Sequence, residues 1–328
     1  MNLHWKNKPE KINSLSLSDK KIISELNVYS RHKIKNILIK SDNTVGISSL
    51  LNSKAMNKIN DSGGIKLIYI DPPYFTEKSQ LMKKTKEEIV AYEDIYNHSL
   101  EDYLNEIYIQ IKLLYSLLSN DGSIYVHVDY RTSSYIRIIL DEIFGYKNLK
   151  GYIIWNIDNG AKSKKFWSNQ HNDILVYSKS DKFTFNSSSK LLKTEYSESS
   201  LKTHFRKKDS DGRAYRERKI NSKSYKYYAE DGKLVGSVWN DIKSMEANSP
   251  LMKEYTTYPT QKPISLLSRI ISASSKKGDF IMDTYCGSGT SLVTANNLNR
   301  NWIGIDQSEK AIKITESRVS NNYYRIDS

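Results

Sequence analysis

The sequence predicts an α/β protein: a doubly wound, mainly parallel sheet with a smaller segment inserted into it. Three observations predict it. The apolar run Ile65-Lys66-Leu67-Ile68-Tyr69-Ile70 has the length of a buried strand and ends directly in Asp71-Pro72-Pro73-Tyr74. Phe280 to Asp306 reads strand, glycine turn, helix, strand and acid, the order of a nucleotide-binding βαβ unit. Between the two lies a stretch crowded with Lys, Arg and Tyr.

The first motif puts a carboxylate, a stiff backbone and an aromatic face at the carboxyl end of a strand, where open α/β sheets bind ligands. Two consecutive prolines fix φ and remove both amide donors, so the carbonyls of Asp71 and Pro72 face outward as acceptors. Such a set suits a flat ring bearing an exocyclic amine. Two acceptors take the amine hydrogens, Tyr74 stacks on the ring, and the nitrogen lone pair is aimed at an electrophile. The plainer alternative is a strand ending in a proline turn. Asp71-Pro72-Pro73-Tyr74 resembles the D-P-P-Y catalytic motif of the amino-methyltransferases that modify adenine, or less often cytosine, in DNA.

The second motif is Phe280-Ile281-Met282-Asp283-Thr284-Tyr285-Cys286-Gly287-Ser288-Gly289-Thr290, followed by a helix from about Ser291 and the strand Trp302-Ile303-Gly304-Ile305-Asp306. Glycines let the backbone approach a ligand, and the amides opening the next helix favour polar or anionic groups. An acid about 20 residues beyond the turn is placed for ribose hydroxyls. This segment resembles the S-adenosylmethionine site of the same family, usually D-x-F-x-G-S-G-T, with Tyr285 where Phe is usual. The resemblance implies cofactor contacts from Asp283, Tyr285, Cys286, Gly287, Ser288, Gly289, Thr290 and Asp306. Thr260-Gln261-Lys262-Pro263 matches the family's T-Q-K-P element, which implies that Thr260, Gln261 and Lys262 help hold the methionine end of the cofactor. Read alone, Pro263 before Leu266, Leu267, Ile270 and Ile271 is ordinary helix initiation.

The order of the parts carries separate information. After Asp306 the sequence predicts a single amphipathic helix, Ser308 to about Ser320, so the carboxyl-terminal half supplies only two strands. The amino-terminal half supplies the missing ones: Asn36 to Lys40, then a helix from Ile47 to about Ile59, then Ile65 to Ile70. A helix over Leu100 to Leu118, a strand over Ile124 to Asp129 and a helix over Ser133 to Phe144 continue the rhythm. Gly151 to Trp155 and Asp173 to Tyr177 are candidate last strands. With the catalytic motif ahead of the cofactor motif, the chain resembles the β group of DNA amino-methyltransferases. That implies a Rossmann-like methyltransferase sheet, circularly permuted, with an inserted target-recognition domain. Residues 1–180 are then a catalytic half, 181–250 the insert and 251–328 a cofactor-binding half. In that frame Asp42 reaches the cofactor's adenine; an Asx-turn or helix cap before Ile47 is the equal alternative. His171 walls the target-base pocket or is a satisfied structural histidine.

Composition agrees. The chain has 328 residues and a net charge of +13, which argues for a polyanionic partner. The charge is concentrated in Lys202, Arg206, Lys207, Lys208, Arg213, Arg216, Arg218 and Lys219, interleaved with Tyr215, Tyr225, Tyr227 and Tyr228. Arg and Lys neutralise phosphates and read guanine edges, and aromatic rings stack on bases. Asp211-Gly212 and Asp231-Gly232 predict turns between short strands. Cys286 is the only cysteine, and the six histidines show no ligand spacing, so neither a disulfide framework nor a metal site is expected. No apolar stretch reaches the length of a membrane span, and Met1 to Lys11 lacks a signal-peptide core, which predicts a cytoplasmic, DNA-associated bacterial protein.

The resemblance implies methyl transfer from S-adenosylmethionine to the N6 amine of adenine in double-stranded DNA, with the base flipped from the duplex. It also implies a place in a restriction-modification system, with a cognate restriction endonuclease and a homodimer as further expectations. An N4-cytosine enzyme and a non-catalytic DNA-binding subunit that keeps the fold are the alternatives. Asp71 favours adenine, because the cytosine enzymes more often begin the motif with Ser.

Overall fold

The computed structural model describes residues 4–5, 8–32, 35–75, 78–81, 90–94, 99–157, 163–245, 253–256, 258–319 and 322–328. In chain order the amino-terminal part runs α1 Lys20–Tyr29, β1 Asn36–Lys40, α2 Asn43–Leu51, α3 Lys54–Asp61 and β2 Ile65–Ile70. The two short strands β3 Lys78–Leu81 and β4 Val90–Asp94 pair with each other. Then come α4 Leu100–Leu117, β5 Leu118–Val128, α5 Ser133–Leu140, β6 Leu149–Asn156 and β7 His171–Ser178. The middle contains β8 Lys193–Thr194, α6 Glu198–His204, β9 Lys207–Lys208, β10 Ala214–Ile220, β11 Lys223–Tyr228, β12 Lys233–Leu234 and β13 Val238–Trp239. The chain closes with α7 Ile264–Ser274, β14 Phe280–Asp283, α8 Thr290–Asn297, β15 Asn301–Asp306, α9 Glu309–Arg318 and β16 Tyr323–Asp327.

Nine strands form one sheet in the order β13-β6-β7-β5-β2-β14-β15-β1-β16. Every pairing is parallel except those of β7, which runs antiparallel to both β5 and β6. The strands from the end of the chain, β14 and β15, lie between β2 and β1 from its beginning. This is the permuted, doubly wound sheet expected from the order of the motifs. Continuous apolar runs such as Ile65–Ile70 serve here because both faces are covered. One face packs on α1, α2 and α4 through Ile22, Leu26, Ile47, Ile107 and Ile111; the other packs on α7 and α8 through Leu266, Ile270 and Leu292.

Local chemistry accounts for the helix bounds. Ser99 and Asp102 form a reciprocal capping box at the start of α4, whose buried Tyr103, Leu104, Ile107, Ile111 and Leu114 follow helical spacing. The helix predicted from Ile47 to Ile59 is instead the pair α2 and α3. Asn52 and Ser53 end the first by bonding their side chains to the carbonyls of Ser48 and Leu50 at 2.8 Å each. The expected pair of carboxyl-terminal strands is in fact three. β16 adds to the edge beside β1, and only Ile326 of it is buried, which is why its sequence carries no strand signal.

The middle segment is β-containing, as its turns suggested. β9, β10 and β11 form one small sheet and β8 with β12 another. Asn221 and Ser222, both at positive φ, turn the β10–β11 hairpin. Residues 238–242, placed in the insert on sequence grounds, belong to the main fold: β13 pairs with β6, and Trp239 and Ile242 lie in the main core.

Arg269 of α7 ties both ends of the insert down. Its Nε donates to the Leu191 carbonyl at 3.2 Å, its two terminal nitrogens grip Asp241 at 2.9 and 2.5 Å, and its guanidinium stacks 5.0 Å from Trp239. Only a guanidinium reaches all three acceptors. Arg269→Ala is expected to lower stability by about 2–3 kcal/mol, read from urea unfolding, and Arg269→Lys to recover little of it. A Lys variant as stable as the parent contradicts this account.

Candidate active site

Because β7 runs against its neighbours, its amino end and the carboxyl ends of β2, β5, β6, β14 and β15 share one edge of the sheet. A cavity of about 110 Å³ opens there between β2 and β14. Of the residues expected from the sequence it is lined by Asp71, Pro72, Pro73, Tyr74, Thr260, Gln261, Lys262, Asp283, Tyr285, Cys286, Gly287, Ser288, Thr290 and Asp306. The pairing of Asp283 with Tyr69 across β14 and β2 is what brings the two motifs together.

Asp71 is the most heavily engaged group. Tyr74 donates its hydroxyl to Asp71 Oδ1 at 2.5 Å, and the Lys262 ammonium bonds Oδ2. Burial alone pushes this carboxyl up, but the Lys262 charge and the hydrogen bonds from Lys262 and Tyr74 outweigh it and hold it below its ordinary value. Pro73 gives its carbonyl to the Tyr103 hydroxyl at 3.1 Å, which anchors the proline turn on α4. Behind Asp71 the buried His127 of β5 joins Tyr69 of β2, at 2.9 Å from Nδ1, to Asn172 of β7, at 3.0 Å from Nε2. Burial lowers His127 to about 3, so the ring is neutral. Its centroid lies 6.2 Å from that of Tyr74. None of Tyr69, Tyr103 and His127 was marked by a motif; each is an ordinary apolar-strand or helix position until the strands are laid side by side. His171, the residue expected near the base pocket, sits 3.8 Å from Asp173 at the start of β7.

On the other side of the cavity the glycine turn is built for close approach. Gly287 and Gly289 have φ of +50° and +73°. A Cβ on Gly289 would stand 2.6 Å from Thr315 Oγ1, and one on Gly287 would stand 3.0 Å from the Tyr258 ring. Gly289 itself does not line the cavity. Asp306 accepts the Gly287 and Ser308 amides at 2.8 and 2.9 Å, and Asp283 accepts the Tyr285 amide at 2.9 Å together with the Ser291 hydroxyl. Arg318 of α9 clasps the turn from outside through the Ser288 carbonyl at 2.5 Å. The hydroxyl by which Tyr285 departs from the usual Phe donates to Gln110 Oε1 of α4 at 2.5 Å. Burial pushes the Cys286 thiol well up, in keeping with a packing residue.

Some expected contacts are spent elsewhere. Asp42 caps α2 through the Val45 amide at 3.0 Å and does not line the cavity; its neighbour Asn43 does, with a buried Oδ1 that has no hydrogen-bond partner. Gln261 lines the wall but uses its amide on the Glu254 carbonyl and on Thr256, at 2.7 to 2.9 Å. Lys262, expected at the cofactor, is on Asp71.

In the basic stretch the structure divides the candidates. Arg213 is held by Glu230 at 2.5 Å and stacks 3.8 Å from Tyr228. Arg216 lies among Tyr196, Phe205 and Tyr227, 5.2 to 5.6 Å from their ring centres. Lys207 pairs with Glu217 at 2.8 Å. Lys202, Arg206, Lys208, Arg218 and Lys219 are exposed.

The chain matches the DNA methylase family model over residues 65–317. It belongs to that family. Among curated relatives, the type II methyltransferase M.EcaI of Enterobacter cloacae is 29% identical over 318 residues, spanning 82% of this chain and 68% of the relative. The DNA adenine methyltransferase YhdJ of Escherichia coli K12 is 29% identical over 259 residues, 78% of this chain and 76% of that one. The fold is shared with a DNA modification methylase of Thermus thermophilus solved with S-adenosyl-L-methionine, at a TM-score of 0.51 and 14% identity, covering 89% of this chain and 98% of the other. It is shared too with the cytosine-N4-specific PvuII DNA methyltransferase, at a TM-score of 0.50 and 17% identity, covering 79% and 81%. This methylase is therefore a DNA-modifying enzyme whose two motifs meet at one cavity.

The buried acids make stability depend on pH. Burial raises Asp283 to about 7 and Asp306 to about 6, against an ordinary unfolded value of about 3.9. Groups raised in the fold contribute stability that is complete below about pH 4 and is lost as pH climbs through 6 and 7. Urea midpoints of the ligand-free protein are expected to fall between about pH 5 and about pH 8, and Asp283→Asn to flatten the fall. An unaltered slope in the variant would show that Asp283 is already ionised in the fold.

Proposed function

We propose that this methylase transfers a methyl group from S-adenosylmethionine to the N6 amine of adenine in double-stranded DNA, with the target base turned out of the helix. The observation that carries the reading is the meeting of Asp71, the Pro72 carbonyl and Tyr74 with the glycine turn and Asp306 around one cavity. The pocket fits the donor: a glycine cradle that a Cβ would obstruct, an acid beyond it for ribose hydroxyls, and the orphaned Asn43 Oδ1 as an acceptor. Asn43 takes the place expected of Asp42. S-adenosylmethionine supplies a methyl already activated on a sulfonium, so the protein's task is positioning and charge.

Asp71 accepts one amine hydrogen and the Pro72 carbonyl the other, which points the nitrogen lone pair toward the donor. For this Asp71 must stay ionised, and Lys262 with the Tyr74 hydroxyl keeps it so. As the N–C bond forms and the C–S bond breaks, positive charge grows on the amine beside the carboxylate. A carboxyl held low is a poor resting place for the proton, which leaves to solvent. Tyr74 has two functions, a ring face for the base and a hydroxyl for Asp71. Asp71 at the head of the motif favours adenine over cytosine. A restriction endonuclease partner, a homodimer and a cytoplasmic location belong to the same reading; among the described residues no helix is long and apolar enough to cross a membrane.

Incubation with labelled S-adenosylmethionine and mixed-sequence duplex, followed by digestion to nucleosides, is expected to yield N6-methyladenine; N4-methylcytosine as the sole product would overturn the choice of base. Asp71→Ala is expected to abolish transfer with cofactor binding retained. Tyr74→Ala should lose on the order of 1–3 kcal/mol of base stacking, and Tyr74→Phe less, its loss confined to kcat.

The exposed Lys208, Arg218 and Lys219 are proposed phosphate contacts. Replacing two of them by Gln should weaken binding to every DNA sequence and reduce the log–log salt slope by about 0.9 per lost contact. Arg213→Ala and Arg216→Ala should instead loosen the insert. A change of site preference without loss of stability in either Arg variant would restore it as a base reader.

A further inference from the structure

A second hollow, of about 480 Å³, opens on the same edge of the sheet, bordered by Asp129, Arg131, Phe166, Asn169, His171 and Asn172. Asn172 links it to the active site through His127. Its outer lip is the turn Ser163 to Ser168, which is closed by its own polar groups. Ser163 Oγ accepts the Lys165 and Phe166 amides at 3.1 and 3.3 Å, and Ser168 Oγ accepts the Ser163 amide at 2.6 Å. With those groups satisfied within the turn, its bulky side chains stand outside. Trp167 is 96% exposed and Phe166 71% exposed, next to the exposed Lys164 and Lys165. Neither ring has a stacking or cationic partner among the described residues.

An indole in water is unfavourable for the free protein, and here two rings, two lysines and Arg131 gather on the rim that carries Asp71 and Tyr74. A base turned out of a duplex leaves its neighbours unstacked, at a cost of the kind that a flat, exposed aromatic ring offsets. We propose that Trp167 fills the gap left in the base stack by the extruded base, while Lys164 and Lys165 meet the flanking phosphates. Positive charge beside the rings selects DNA as the occupant over an apolar protein face. The inference rests on the base extrusion proposed above and adds the group that sustains it.

The test compares single-turnover methyl transfer on two duplexes with the same target site, one fully paired and one with the target base opposite an abasic position. Trp167→Ala is expected to slow transfer about tenfold or more on the paired duplex and little on the abasic one. Trp167→Phe should lie between, with cofactor binding unchanged in both variants. Equal losses on the two duplexes, or no loss on either, overturn the proposal, as does a shift of oligomeric state in Trp167→Ala that explains the loss. Wild-type protein that methylates neither duplex contradicts the active-site reading itself, a result distinct from any of these.

Discussion

The insertion of β14 and β15 between β2 and β1 is the constraint on which the rest depends. Two strands from the end of the chain complete a sheet begun by two strands near its start, and neither half has a closed core without the other. The same pairing sets Asp283 opposite Tyr69, two residues before Asp71, so the cofactor turn and the catalytic motif are held at one edge by backbone ladders and not by loops. A site that must place a donor and an acceptor in line benefits from such rigidity.

That proximity has an electrostatic consequence. Asp71, Asp283 and Asp306 are three carboxyls around one small cavity, and Lys262 is the cation that reaches Asp71. The charges are shared unequally: Asp71 is driven down by Lys262 and Tyr74, and Asp283 and Asp306 are driven up by burial. The carboxylate that faces the amine is thus the one kept ionised, and the acids of the cofactor wall gain their full charge as partners arrive. The neutral His127 behind Asp71 spaces Tyr69 from Asn172 without adding a cation that would compete for the carboxylate.

The insert follows a different logic. Much of its basic character is consumed internally, because small sheets bury little and need cation–π stacking and ion pairs to hold their shape. The exposed remainder is left to meet a polyanion.

The sequence by itself determined the sheet class, its permutation and the chemistry of both motifs, since D-P-P-Y and the glycine turn are local: proline stiffness, glycine φ and an apolar run need no distant partner to be read. Tertiary structure decided what depends on a neighbouring strand or helix. Lys262 bonds Asp71 across 191 residues, Tyr285 bonds Gln110 across 175, and β16 is a strand only because β1 offers an edge. It also decided between equals, giving Asp42 to a helix cap and Asn43 to the cavity, and Arg213 and Arg216 to the framework of the insert. In each case the residue type permits two roles, and the role taken is fixed by which partner the fold brings within hydrogen-bond or stacking distance.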